Sequence, residues 1–193
     1  MENDIIIYDI ETQETFQEVG TRDARKLHIS LIGMYSTNEK QFYSFTEDEL
    51  PAFWRRLEQC KMVVGFNNKG FDDVVCSAYF PEMGKVKSFD ILEIVHKRLG
   101  FRVKLDNLAH ATLGTGKSGD GLKAIQLYRE GKIEELRDYC LDDVRITRDI
   151  YNHGKNHGKL SYSDLAGVRE VLVDFSLPKE LEEEQAPMNL SLF

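Results

Sequence analysis

No apolar run in the 193-residue sequence approaches the ~20 residues that a bilayer-spanning helix requires. The N-terminus has no basic flank and no small-residue cleavage site, which argues against a secretory signal. The three cysteines, Cys60, Cys76 and Cys140, are odd in number, far apart and without metal-ligand spacing. They indicate a reducing cytosol rather than a disulfide framework. We therefore expect a cytoplasmic protein with no membrane partner.

An excess of positive charge is also missing. The formal net charge is −8, from 25 basic and 33 acidic side chains, which argues against broad nonspecific binding of nucleic acid. An enzyme that acts on nucleic acid is not excluded, because metal-binding carboxylates and an acidic tail both lower the total. The stretch LPKELEEEQAP near the C-terminus contributes four glutamates against one lysine, so the total charge decides little.

Strand-like and helix-like segments interleave along the chain, which predicts an α/β fold. Strands are expected from DIIIYDI, LHISLIGMY, QFYSF and KMVVGF, and a late hairpin from KLSYSD and REVLVDF. The first of these is apolar and β-branched, as expected of a buried central strand. We expect one domain over residues 1–176 and an acidic flexible tail over 177–193.

The first predicted strand ends in two acids, Asp9 and Glu11. They are two residues apart, so their side chains point to the same face of the strand. Ligands of open α/β sheets bind beyond the carboxyl ends of the central strands. Two carboxylates held this close repel each other unless a cation lies between them. The D-x-E pattern is common by chance, however, and alone it also fits a solvated strand end.

Three further side chains extend this pair. Asp72 follows a buried strand at the start of a helix, and Tyr139 and Asp143 lie one turn apart on the same face of a late helix. Burying an acid without a partner is costly, and a set of oxygen ligands suits Mg²⁺ or Mn²⁺ rather than zinc. The neighbouring acids Asp73 and Asp142 remain alternatives, because helical spacing does not exclude Asp142.

Three motifs in this chain resemble, in order, those of the DEDD 3′–5′ exonucleases: Asp9-Ile10-Glu11, Asn67 or Asn68 followed by Phe71-Asp72, and Tyr139 followed by Asp143. The tyrosine branch of the family, which includes the proofreading domains of family B DNA polymerases, matches best. The histidine branch needs a histidine five residues before Asp143, where this chain has Asp138. The resemblance covers residues 4–155 and implies an RNase H-like fold, a mixed five-stranded sheet flanked by helices.

The resemblance also implies hydrolysis of phosphodiester bonds by a two-metal mechanism at single-stranded or frayed DNA 3′ ends. Two Mg²⁺ or Mn²⁺ ions about 3.5–4 Å apart would clamp the attacking and leaving oxygens. By this analogy Asp9 bridges both ions, and Glu11 and Asp143 complete the site of the ion that activates water. Asp72 would serve the other ion, and Tyr139 would orient the attacking water.

Side chains around the motifs are candidates for contact with nucleic acid. Phe71 could stack on a terminal base, or it could pack the helix start as a core residue. The polar candidates for contact with sugar or phosphate are Asn67, Asn68, Lys69, Lys117 and Lys123. For any single surface lysine, solvation is the alternative interpretation.

The chain ends in the apolar segment NLSLF, directly after the acidic stretch. This segment resembles the Q-L-S/D-L-F peptide with which bacterial replication and repair proteins dock on the sliding clamp, although Asn189 replaces the usual glutamine. Leu190, Leu192 and Phe193 would be the pocket anchors. Such docking would imply a bacterial origin and a DNA substrate, because a clamp raises the effective concentration of an enzyme on duplex DNA. The alternative is a tail that packs on its own domain.

Other functions stay open at this point. An RNase H-like nuclease could act on RNA or cut internally, and the acids could be structural in a non-catalytic module that binds nucleic acid or a clamp. The stretch ATLGTGKS fits a relaxed phosphate-binding loop. The residues before it are polar and helix-like instead of an apolar strand, which argues against a nucleotide site.

Overall fold

A computed structural model describes residues 4–116 and 121–176 of the protein. Its strands are β1 (Asp4–Thr12), β2 (Ile29–Ser36), β3 (Gln41–Thr46), β4 (Cys60–Gly65), β5 (Ser88–Asp90), β6 (Lys159–Asp164) and β7 (Gly167–Leu172). Its α-helices are α1 (Leu50–Leu57), α2 (Asp72–Tyr79), α3 (Ile91–Leu99), α4 (Leu105–Leu113), α5 (Gly121–Arg129) and α6 (Ile133–His157). Lys117 and the predicted tail, with Leu190, Leu192 and Phe193, lie outside the described residues.

The first five strands form one sheet in the order β3-β2-β1-β4-β5. Strand β1 lies at its centre, antiparallel to β2 and parallel to β4. The outer strands follow the same pattern: β3 is antiparallel to β2, and β5 is parallel to β4. The prediction of a mixed five-stranded sheet flanked by helices is confirmed.

Strand β1 is buried on both faces, which explains its continuous apolar sequence. Tyr8 and Ile10 point to one face and belong to a core that includes Phe53 of α1. Ile7 points to the opposite face and belongs to a second core that includes Val144 of α6. The acids Asp9 and Glu11 alternate with Ile10, so they share the face that α6 covers.

The helix ends carry the residue types that commonly cap helices. Asp90 caps α3, because its Oδ1 accepts hydrogen bonds from the backbone amides of Leu92 and Glu93 at 2.9 and 3.2 Å. Gly100 and Gly114 end α3 and α4 in the left-handed region, with φ of 78° and 71°. Within 4–116 and 121–176, no helix has both the length and the apolarity that crossing a bilayer would need.

Helix α6 lies close to the sheet because β2 has a glycine beneath it. Gly33 pairs with Asp9 in the β1–β2 register. A Cβ atom at Gly33 would lie 2.9 Å from Sγ of Cys140 and 3.1 Å from Cγ2 of Val144. A side chain at this position would therefore press on the side chains by which α6 packs against the end of β1, where the acids are.

The predicted late hairpin is confirmed as the two-stranded sheet of β6 and β7. Helix α4 covers the outer edge of β6 with two side chains. Thr112 donates to the carbonyl of Ser161 at 3.0 Å and accepts from its amide at 2.8 Å. Asn107 makes the same pair of bonds with Ser163, at 2.9 and 2.8 Å. These bonds satisfy a strand edge that would otherwise be exposed.

Candidate active site

The two acids at the end of β1 lie against a cysteine of α6. Glu11 is 7% exposed and Asp9 is half-buried. Sγ of Cys140 lies 3.6 Å from the carbonyl oxygen of Asp9 and 4.0 Å from its Oδ2. One ligand atom from each of these three side chains lies within 4.8 Å of the other two. Burial, followed by the nearby Asp9 and Glu11, raises the pKa of the Cys140 thiol well above its usual value.

Asp143 is the acid of α6 that faces the end of β1. It is 3% exposed, and it lines an open groove of about 700 Å³ together with Asp9. Asp142 differs from it, because its side chain is half-exposed and forms an ion pair with Arg145. Of the two neighbouring candidates, only Asp143 shares a groove with Asp9.

Tyr139 begins the same stretch of α6 and is 5% exposed. It belongs to a buried cluster with Leu31 of β2 and Leu127 of α5. Nζ of Lys123 lies 5.4 Å from the centroid of the tyrosine ring. The predicted tyrosine and one of the predicted lysines are therefore neighbours, one on α6 and one on α5.

Asp72 reaches the backbone of β1 from the start of α2. Pairing between β1 and β4 ends at Ile7 and Val64, so the amide of Ile10 has no strand partner on that side. Oδ1 of Asp72 accepts a hydrogen bond from this amide at 3.1 Å. Burial raises the pKa of Asp72 to about 7, aided by the charges of Asp73 and Asp90 and opposed by the backbone hydrogen bonds. A carboxylate in this environment favours a nearby cation.

Asp73 takes a different role from its neighbour. Its Oδ2 accepts a hydrogen bond from Oγ of Ser88 at 2.6 Å, and its Oδ1 accepts one from the hydroxyl of Tyr8. Nδ2 of Asn68 lies 3.4 Å from the same Oδ1. These bonds connect β1, α2 and β5 beneath the site, so Asp73 is a structural acid and Asp72 is the one held at the end of β1.

The two predicted asparagines are placed differently. Asn68 is fully buried, and its Nδ2 donates to Oγ of Ser88 at 2.7 Å. Asn67 lines the groove that contains Asp9 and Asp143. Of this pair, Asn67 is the one placed to meet a molecule in the groove.

Phe71 is half-buried and makes an edge contact with Phe16, with ring centroids 5.9 Å apart and ring planes at 78°. Phe16 lies in the loop after β1 and is 38% exposed. Lys69 is exposed, and its Nζ forms an ion pair with Glu93 at 2.7 Å. The predicted residue Phe71 thus forms an aromatic pair with Phe16, which the sequence analysis did not identify.

Sequence reasoning also missed Arg102 and Lys104, which line the same groove as Asp9 and Asp143. They come from the segment between α3 and α4, which carries no motif. The only available signal was a short basic stretch, FRVK, directly after the glycine that ends α3. Cys140 was missed as a neighbour of Asp9, although it directly follows Tyr139 in the sequence.

The donor set fits divalent cations. Asp9 and Glu11 bring carboxylate oxygens close together, and burial disfavours the charged form of Asp72. Both arrangements are costly without a positive charge nearby, and hard oxygen ligands suit Mg²⁺ or Mn²⁺. The residues that could hold such ions are Asp9, Glu11, Asp72 and Asp143.

Fold and site together define a class of α/β domain, in which β1, α2 and α6 each place buried acids at the carboxyl end of the central strand. The chain belongs to the RNase H superfamily, whose family profile matches residues 6–154. The expected RNase H-like fold is thereby confirmed. No curated protein matches the chain significantly by sequence.

Three solved structures are similar to the chain. The family B DNA polymerase of the hyperthermophilic archaeon Pyrobaculum calidifontis is 18% identical over 80% of the chain and 25% of the polymerase, with a TM-score of 0.59. RNase D of Trypanosoma brucei is 16% identical over 77% of the chain and 56% of the RNase, with a TM-score of 0.54. Exonuclease I in complex with the inhibitor BCBP is 14% identical over 81% and 42%, with a TM-score of 0.51.

The chain therefore spans between a quarter and little more than half of the length of these three proteins. At these identities the likeness shows a common fold. The names of two of them, exonuclease I and RNase D, describe nucleases.

Proposed function

We propose that the protein is a metal-dependent 3′–5′ exonuclease that hydrolyses phosphodiester bonds at single-stranded or frayed DNA 3′ ends. The observation that carries the proposal is the shared groove of Asp9 and Asp143, with Asp72 bonded to the backbone of the same strand end. Membership of the RNase H superfamily and the likeness in fold to exonuclease I and RNase D support a nuclease.

In this proposal Asp9, Glu11, Asp72 and Asp143 hold two Mg²⁺ or Mn²⁺ ions. When bound, such ions supply an activated water and neutralise charge on the phosphate. The chain supplies the rest of the geometry. Tyr139, four residues before Asp143, orients the attacking water through its hydroxyl without adding charge to the site. Asp73 takes no direct part, since its carboxylate is engaged by Ser88 and Tyr8.

The strand end is bound by side chains on both sides of the acids. Phe71 and Phe16 offer an aromatic surface on which a terminal base stacks. Asn67 lines the groove and contributes to strand binding there. Lys123, beside Tyr139, contacts phosphate. Lys69 and Lys117, which is outside the described residues, supply further positive charge for the strand.

The test is a polarity assay with single strands labelled at either the 3′ or the 5′ end, with and without Mn²⁺. We expect stepwise release of mononucleotides from the 3′ end, only with the metal, and none from the variant Asp9→Asn. The matched control is Asp142→Asn, which removes a neighbouring acid of α6 that lies outside the groove. Release by Asp9→Asn at the wild-type rate would refute the proposal.

RNA is the second candidate substrate, because one of the similar structures is an RNase D. The same assay therefore includes an RNA strand of identical sequence. Faster release from DNA supports the proposed substrate. Faster release from RNA, or internal cleavage products, supports the alternative nucleases instead.

We also propose that the tail docks on a bacterial sliding clamp through Leu190, Leu192 and Phe193, with the enzyme working in the cytoplasm. The sequence NLSLF, beyond an acidic stretch, is the observation behind this. Titration of a labelled bacterial clamp with the full chain tests it. Binding that the double variant Leu192→Ala, Phe193→Ala loses supports docking, and equal binding by both proteins contradicts it.

A further inference from the structure

The groove beside the acids carries positive charge from a segment outside all three motifs. Arg102 and Lys104, between α3 and α4, line the groove that also contains Asp9 and Asp143. Both basic side chains are exposed. Asp9, Asp143 and these two cations thus line one open groove.

Arg102 is tethered to the loop that leads to Asp72. One of its terminal nitrogens donates a hydrogen bond to Oδ1 of Asn67 at 2.5 Å. The backbone of Asn67 is held in turn, because its amide donates to Oδ1 of Asp90 at 2.8 Å. A guanidinium group has five N–H donors, so this contact leaves others for a ligand. A tethered arginine also loses less conformational freedom when it binds an anion.

The hydrogen bond between Arg102 and Asn67 depends on the lack of a side chain at Gly70. A Cβ atom at Gly70 would lie 2.8 Å from Oδ1 of Asn67, the atom that accepts from Arg102. Asn67 itself has a φ of 68°, in the left-handed region that asparagine tolerates better than most residues. The conformation of this loop therefore leaves room for the side-chain amide of Asn67 to meet Arg102.

The rest of the groove suits a nucleotide strand better than a small inorganic anion. Beside the cations it is lined by four apolar side chains, Phe66, Leu92, Val103 and Leu105, and by one further acid, Asp106, whose Oδ1 lies 3.6 Å from Nε2 of His110. Such a surface accommodates sugar and base, while the cations accommodate phosphate. The chain carries a net charge of −8, which repels a polyanion, so a strand that approaches the acids needs local positive charge.

We propose that Arg102 and Lys104 bind the phosphates of the single nucleic-acid strand that enters this groove, and that Asn67 positions Arg102 for this contact. The inference rests on the proposed nuclease function and extends it, because it assigns the path of the strand. Arg102 and Lys104 are phosphate-binding residues, and Asn67 is a positioning residue.

The test measures equilibrium binding of a fluorescein-labelled oligothymidylate by anisotropy at several salt concentrations, in an Asp9→Asn background that prevents cleavage. Each phosphate contact on a single strand contributes about 0.7 to the slope of log affinity against log salt. We expect Arg102→Gln and Lys104→Gln each to weaken binding and to reduce the slope by about 0.7. Arg55→Gln and Lys155→Gln, exposed on α1 and on α6, are matched controls that should leave the slope unchanged.

A double-mutant cycle tests the positioning role. Asn67→Gly keeps the left-handed backbone and removes the side-chain amide. We therefore expect this change to weaken binding when Arg102 is present. In the Arg102→Gln background the same change should add little, because its target is already gone. Additive effects of the two substitutions would refute the positioning role, and a slope unchanged in Arg102→Gln and Lys104→Gln would refute the phosphate site.

Failure of this inference is distinguishable from failure of the proposed function. If the slope falls as expected but the wild-type protein releases no nucleotide, the groove binds a strand and the nuclease proposal fails. If nucleotide is released but both glutamine variants bind with the wild-type slope, the nuclease proposal stands and the strand follows another path.

Discussion

Gly33 of β2 and Cys140 of α6 meet so closely that a single Cβ atom between them would lie 2.9 Å from the cysteine sulfur. Gly33 pairs with Asp9 in the sheet, and Cys140 lies three residues before Asp143 on the helix. The absence of a side chain at Gly33 therefore sets the distance between the acids of β1 and the acid of α6. Protein interiors have few voids, so the α6 side chains above Gly33, or the helix that carries them, must shift when this space is filled.

We expect Gly33→Ala to lower the rate of nucleotide release by about 100-fold, which is the cost of a displacement of about 1 Å at an active site. The measurement is kcat on a 3′-labelled strand, with the thermal midpoint of unfolding recorded in parallel. Overpacking of this kind should also cost about 1–3 kcal/mol of stability.

Two variants isolate the cause of that effect. Gly84→Ala adds the same methyl group where no atom lies within 4 Å, so its activity should match the wild type. The double variant Gly33→Ala, Cys140→Ala removes the sulfur that the new methyl group meets, and it should regain part of the lost activity. Equal activity of Gly33→Ala and wild type would show that α6 is not held by this contact.

The second prediction concerns the stability of the protein without metal. The pKa of Asp72 in the folded state is about 7, against 3.8 as its ordinary value. Between these two pH values the folded state binds more protons than the unfolded state, so this group lowers the unfolding free energy as pH rises from about 4 to 7. In chelator at pH 8, Asp72→Asn should therefore have a higher thermal midpoint than wild type, although it releases no nucleotide.

The difference in midpoint between wild type and Asp72→Asn should shrink at pH 5, where Asp72 is already protonated. Asp73→Asn provides the contrast, because it weakens the bonds to Ser88 and Tyr8 and should lower the midpoint at both pH values. A lower midpoint for Asp72→Asn in chelator at pH 8 would contradict the assigned environment of Asp72.

Much of the fold could be predicted because its signals are local. An apolar, β-branched stretch identified β1 as a central strand, and Gly100 and Gly114 directly follow the helices α3 and α4 that they end. The RNase H-like architecture, a mixed five-stranded sheet flanked by helices, followed from the family resemblance of three motifs, which ties Asp9, Asp72 and Asp143 to particular elements. The order of the five strands was not predicted. Those features depend on residues that are close in sequence or recur at regular spacing.

The remaining features depend on distant residues, and periodicity carries no information on them. Arg102 is held by a hydrogen bond to the side-chain amide of Asn67, which lies 35 residues earlier. Gly33 matters only because α6, more than 100 residues later, lies above it. Asn68 and Asn67 were equivalent by motif spacing, and only the tertiary contact with Ser88 separates them.

The third prediction separates two adjacent acids. Asp143→Asn should lower the affinity for Mn²⁺ by at least about 10-fold, as the loss of a group that supports a metal site does. Asp142→Asn should bind Mn²⁺ as wild type does, because its side chain is paired with Arg145 and half-exposed. Calorimetric titration of both variants with Mn²⁺ decides between them. Stronger impairment in Asp142→Asn would move the metal site to the other face of α6.

The fourth prediction addresses the aromatic pair beside the acids. Phe16→Ala and Phe71→Ala should each weaken binding of a labelled oligothymidylate, by the about 1–3 kcal/mol that stacking contributes per base. The salt slope should stay at its wild-type value, since no phosphate contact is lost, which distinguishes these variants from Arg102→Gln. Leu165→Ala, at the exposed tip of the β6–β7 hairpin, is the control for loss of an apolar surface side chain. Removal of an exposed ring that stacks on a base must lower the affinity for the oligothymidylate. If Phe16→Ala binds it as tightly as the control does, the aromatic pair therefore contributes to packing of the protein and not to base stacking.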